Sequence, residues 1–147
     1  MIRRLPAGAV LFCVLCVATA ATAVAVLHFK TSDLALEVQR LDCQVDPGSK
    51  AHPVAHIRFF TRYSDPHAEV SMVGEGLSPA RILDGDMPVQ ANVPVRLTWD
   101  GRTDAGSKAP PGRYALRVNL PDRDRNMLWI AQRIHVGEAC TRPGSAG

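Results

Sequence analysis

Apolar and polar residues alternate with a period of two along most of this chain, in short runs broken by Pro, Gly and Asp. In residues 93–99, Val93, Val95, Leu97 and Trp99 point one way, and Pro94, Arg96 and Thr98 the other. Side chains alternate faces along a β-strand, so such a run makes a strand with one buried and one wet side. Tyr114, Leu116, Val118 and Leu120 repeat the device, and Pro121 ends it because it has no N–H for the ladder. Ala55, Ile57, Phe59, Thr61 and Tyr63 alternate with His56, Arg58, Phe60 and Arg62. Val70 with Met72 marks a shorter strand, and Ile82 with Leu83 a weaker one. Leu128, Ile130, Ile134 and Val136 supply the last inward set, with Gln132 as its imperfect member, and a first strand lies near Cys43. No long helical period interrupts the series. About seven short strands predict an all-β fold, an immunoglobulin-like antiparallel β-sandwich.

The N-terminus follows a different rule. Residues 7–27 carry no charge, no proline and no strongly polar group, and as a helix they span about 30 Å, the thickness of a bilayer core. Arg3 and Arg4 precede them, which predicts an N-in orientation with everything after Lys30 outside the cytoplasm. The segment reads as a single transmembrane signal-anchor. Cleavage as a signal peptide stays open, because Ala18-Thr19-Ala20, Ala21-Thr22-Ala23 and Ala23-Val24-Ala25 each offer a small-x-small site. Cys13 and Cys16 have CxxC spacing but sit inside this apolar run, where they read as small apolar residues. The expected organisation is a basic stub (1–6), the anchor (7–27), a polar linker (28–37), the β-domain (38–140) and a tail (141–147).

Charge argues against a nucleic-acid partner. The chain has a formal net charge of +3, yet residues 41–140 hold twelve Lys/Arg and twelve Asp/Glu. The excess lies outside the domain, in Arg3, Arg4, Lys30, Arg40 and Arg142 against Asp33 and Glu37. A nearly neutral domain lacks the electrostatic footprint that a phosphate backbone requires.

Cys43 and Cys140 are the only cysteines of the exported portion, one near the first strand and one after the last. In an oxidising compartment two such thiols usually pair, and first and last strands of this type of sandwich often lie side by side. The expected disulfide is Cys43–Cys140, the alternative being free or intermolecularly paired thiols. Aromatics make up only 5% of the chain, so the core draws on smaller aliphatic side chains and a covalent staple matters more.

One block carries more detail. It runs Trp99-Asp100-Gly101-Arg102-Thr103-Asp104-Ala105-Gly106-Ser107-Lys108-Ala109-Pro110-Pro111-Gly112-Arg113-Tyr114. Trp99 closes the end of the core, and its indole N–H needs a loop carbonyl. Gly101 and Gly106 permit positive φ, Asp100 and Asp104 accept from nearby backbone N–H groups, Pro111-Gly112 suits a type II turn, and Tyr114 forms a corner bond to backbone. The block resembles the signature of the FlgD-type immunoglobulin-like domain, in which a strand ends in WDG, a Gly-containing loop follows, and Pro-x-Gly-x-Tyr opens the next strand. The resemblance covers roughly residues 52–137. It implies an immunoglobulin-like fold of a kind recurrent in exported and cell-surface proteins. It does not imply hook assembly, because the long N-terminal region through which hook-capping proteins act has no counterpart in this chain.

Catalytic and cofactor signatures are missing from the residue pattern. There is no GxSxG, HExxH or Gly-rich phosphate loop. Asp84, Asp86, Asp100 and Asp104 match no calcium loop, and His52, His56, His67 and His135 are scattered. The expectation is a non-enzymatic, cofactor-free, membrane-anchored extracytoplasmic binding or scaffold module whose partner is an envelope or extracellular protein. Two alternatives stand beside it: a secreted proteinase inhibitor presenting Arg102, Lys108 or Arg113 on a loop, and an accessory subunit of an envelope assembly. Phe60 and Trp129 point away from the expected core and are the candidate partner surface.

Overall fold

The computed structural model describes residues 35–140; the expected anchor, stub and tail lie outside them. Eight strands run β1 (Leu36–Leu41), β2 (Gln44–Val45), β3 (Ala55–Thr61), β4 (Asp65–Val73), β5 (Pro79–Val89), β6 (Val95–Trp99), β7 (Gly112–Leu120) and β8 (Arg125–Val136), with one 3-10 turn at Pro121–Arg123. Among the described residues no helix is long and apolar enough to cross a membrane.

The strands form two sheets, β1-β3-β6 and β2-β8-β7-β4-β5. Ile57, Phe59 and Trp99 from the first and Val70, Met72, Leu116, Val118 and Ile134 from the second belong to one buried cluster. The alternation of β3 and β7 falls as the residue pattern predicts, with Ile57, Phe59, Leu116, Val118 and Leu120 buried. The cluster is mainly aliphatic, with Phe59, Trp99 and Tyr114 as its aromatic members, and Trp99 is its largest fully buried side chain.

Several expectations need correction. The linker ends earlier than residue 37, because Leu36 and Glu37 already pair with Thr61 and Phe60 of β3. Cys43 lies between two strands, at the point where the chain leaves one sheet for the other. The pairing of β2 with β8, Gln44 to His135 and Val45 to Val136, is parallel, so the sheets are not purely antiparallel. Val93 and Pro94 fall outside β6, and Val93 is exposed. Asp84-Gly85-Asp86 lies inside the long β5, where the register with β4 is irregular.

The largest departure is in β8. A regular antiparallel continuation from Tyr114↔Ile134 would set Leu116 opposite Gln132, yet Leu116 faces Trp129. Three extra residues are accommodated in a bulge, and the faces exchange. Met127 and Trp129 pack on the core, while Leu128 and Ile130, expected inside, are exposed. The physical reason is Gln132: an unbulged strand would turn its amide into an aliphatic interior, a costly burial without a partner. In the bulge its Nε2 donates instead to the Leu41 carbonyl at 2.9 Å.

Asp65, a buried carboxylate that the residue pattern did not single out, ties one end of the body together. Its Oδ1 accepts from the His67 N–H at 2.8 Å and its Oδ2 from the Asp122 N–H at 2.9 Å. At the other end, Cys43 and Cys140 are disulfide-bonded with Cα atoms 6.0 Å apart.

Candidate functional site

The block of residues 99–114 is a connected loop. Trp99 Nε1 donates to the Arg102 carbonyl at 2.9 Å, and its ring meets Tyr114 edge-on at 5.0 Å. The Tyr114 hydroxyl donates to the Pro110 carbonyl at 2.8 Å, the expected corner bond, and burial pushes the phenol up from its ordinary value of 10.0. Asp100 Oδ1 accepts from the Arg102 N–H. Asp104 reaches further than expected: its Oδ1 accepts from the Ile82 N–H at 3.0 Å, and its own N–H donates to the Ala80 carbonyl, so it fastens the loop to β5. Gly106 has φ +80° and Gly101 φ +70°. Gly112 has φ +153° and opens β7, far from the +80° of a type II turn, so the expected Pro111-Gly112 turn is not formed.

Gly101 is the least replaceable of these. A Cβ there would lie 2.8 Å from Pro47 Cγ and 3.2 Å from Val45 Cγ1, on top of the positive φ. Gly101→Ala is expected to cost about 2 kcal/mol or more, measured as a lower urea midpoint at unchanged slope.

The three basic loop residues are engaged within the domain. Arg102 Nη1 donates to the Gly106 carbonyl, Lys108 Nζ to Asp46 Oδ1 at 2.6 Å, and Arg113 Nη2 to Glu75 Oε1 at 3.0 Å. Among the described residues no group of three or more His, Cys, Asp or Glu side chains is arranged around a metal position. His67 Nδ1 lies 2.7 Å from Asp86 Oδ1, and this hydrogen bond, with the carboxylate's charge, raises the imidazole above its ordinary 6.5. The pair supports the fold fully below pH 6.5 and ceases to do so as pH rises through the elevated value. In an NMR titration, Asp86→Asn is expected to return the His67 ring close to 6.5.

Phe60 and Trp129 are not brought together. Phe60 is half-buried and pairs with Glu37 in the three-stranded sheet. Trp129, expected to point outward, packs against the core because of the β8 bulge, with its Nε1 buried and unpartnered within the protein.

The bulge builds a different apolar surface. Ile82, Ser71, Arg117 and Leu128 register across β5, β4, β7 and β8, and so share the outer face of the five-stranded sheet. Ile82 is 40% exposed, Leu128 38%, Ile130 62%, and Leu77 in the β4–β5 hairpin 59%. Leu77, Leu128 and Ile130 line one groove of about 300 Å³ with Val73 and Ala115. Glu75 and Arg113, joined in an ion pair, and Arg133 line it as well. Leu77 also holds φ +60°, a left-handed backbone unusual for a side chain of its size. An exposed leucine in a conformation that suits glycine marks a place where packing within the domain has not chosen the residue. No signal in the residue pattern foretold this face, because it depends on the β8 register.

No protein-family model matches the chain, and no curated protein matches it.

Proposed function

We propose that the chain is a membrane-anchored, extracytoplasmic immunoglobulin-like module of the FlgD type that binds another envelope or extracellular protein and carries out no catalysis. The single observation that carries the binding role is the surface groove in which exposed Leu77, Leu128 and Ile130 lie among Glu75, Arg113 and Arg133, a mixture of apolar and charged side chains that suits a protein interface. The immunoglobulin-like assignment is supported by the strand order of the two sheets, by a chain that crosses between sheets at Cys43, and by the Tyr114 corner bond. The extracytoplasmic assignment is supported by the Cys43–Cys140 bond and by the apolar run of residues 7–27 behind Arg3 and Arg4. The inhibitor reading draws no support from the loop, whose basic side chains are bound to Gly106, Asp46 and Glu75. An accessory subunit of an envelope assembly would use the same face.

Fractionation tests the tether and its direction. The chain is expected to stay with membranes through an alkaline wash and to be cut by protease added outside intact cells. Recovery in the cytosol with both thiols reduced would overturn the reading.

Leu77 separates binding from folding. Leu77→Gly relieves the left-handed backbone and is expected to stabilise the domain by about 1 kcal/mol while weakening partner binding, a stability gain with a functional loss measured by paired denaturation and pull-down.

A further inference from the structure

The even balance of charge in the domain hides a local concentration of cations. The β1–β3 register sets Arg40 beside Arg58, and the β3–β6 register sets Arg58 beside Arg96. These three arginines form a row across the outer face of the three-stranded sheet, on strands far apart in sequence. His56 and Thr98 pair two residues away on β3 and β6, on the same face, and line with the three arginines and Leu83 of β5 a hollow of about 560 Å³. Like charges directly opposite on paired strands destabilise a sheet unless a counter-charge lies between them.

One end of the row has its counter-charge. Asp42 Oδ1 lies 3.0 Å from Arg40 Nε, and Asp42 Oδ2 lies 2.9 Å from His56 Nδ1. Partial burial opposes ionisation of Asp42, but its hydrogen bonds to the His56 backbone and ring and to Arg40 outweigh it and hold the carboxyl below its ordinary value of 3.8. The other end has none. Among the described residues no carboxylate pairs with Arg58 or Arg96, and Arg58 Nε is shielded from solvent without an acceptor. A desolvated guanidinium donor without a partner is costly, and guanidinium forks match the oxygens of phosphate groups. A single dianion meets both cations, where a carboxylate would neutralise only one.

We propose that this hollow binds a phosphate dianion, with Arg58 and Arg96 as its principal donors and Thr98 beside them. The site is separate from the apolar groove on the other sheet and does not depend on the partner assigned to that groove.

The test is thermal and denaturant unfolding of the full-length chain in a nonionic detergent, in sodium phosphate against sodium chloride of equal ionic strength. Phosphate at ten times its half-saturating concentration is expected to shift the unfolding equilibrium by about 11-fold beyond chloride. Arg58→Gln and Arg96→Gln are expected to fold, to gain stability in chloride at low ionic strength, and to lose the phosphate increment. Arg133→Gln, on the other sheet, is expected to keep it. Equal shifts in the two salts, or an increment that survives both substitutions, would overturn the proposal. Titration with glycerol 3-phosphate and with a short-chain phosphatidic acid then identifies the source. A lower half-saturating concentration for the lipid supports a headgroup site, and equal values support a site for soluble phosphate esters.

Discussion

Replacing Cys43 and Cys140 together by alanine is expected to lower stability by about 4–5 kcal/mol, the loop-closure contribution for a loop of roughly a hundred residues. The bond spans 97 residues and joins the crossing point between β1 and β2 to the chain just after β8. What it secures is otherwise slight: β2 has two residues, and its junction with β8 depends on a few hydrogen bonds such as His135 N–H to the Cys43 carbonyl at 2.8 Å. A loss of this size is a third or more of what a small domain possesses, and it corresponds to a fall in Tm of about 20 °C or more. Denaturant unfolding of the oxidised chain and the double variant measures it. A difference below about 1 kcal/mol would mean that the bond does not staple the fold.

Trp99→Ala is expected to cost about 3–5 kcal/mol, with about 1 kcal/mol more from the Arg102 carbonyl left without its donor. Trp99 is the largest fully buried side chain of a core whose other aromatic members are Phe59 and Tyr114, and it touches Tyr114 edge-on. Its loss opens the core where the 99–114 loop closes over it. Tyr114→Phe keeps the ring contact and removes only the bond to the Pro110 carbonyl, so it is expected to cost about 1 kcal/mol. Urea midpoints of the two variants separate volume from hydrogen bonding. Equal losses would assign the stability of this end to the corner bond and not to the indole.

These two effects rest on residues whose roles are local, and local roles are what an amino-acid pattern exposes. The alternation in β3 and β7, the indole at the end of β6 and the Tyr114 corner each follow from neighbours a few residues away, and the pairing of Cys43 with Cys140 from the export expected of the chain. Trp129 shows the limit. Its face is decided by a three-residue bulge opposite Ala115, which keeps the Gln132 amide out of the core and bonded to the Leu41 carbonyl. A run of Leu128, Ile130, Ile134 and Val136 gives no sign of that exchange, since period-two patterns on either side of a bulge are each correct alone. The arginine row is hidden for a related reason: residues 40, 58 and 96 become neighbours only through two strand registers. Leu77 is hidden because left-handed backbone at a non-glycine residue leaves no mark in composition.

The exposed apolar face also changes what surface residues mean. Leu128 and Ile130 read as core in the residue pattern, so their exposure looks like failed burial until the bulge is seen. Once Met127 and Trp129 have taken the interior positions, the outward pair is free to serve contact with another molecule.

Photo-crosslinking from position 130 in native membranes tests the binding role most directly, with position 50 in an exposed loop as the control. A partner-binding face gives a discrete crosslinked product from 130, none from 50, and loss of the 130 product when Leu77→Asp places a charge in the groove. The same products from both positions, or a 130 product indifferent to Leu77→Asp, would contradict it.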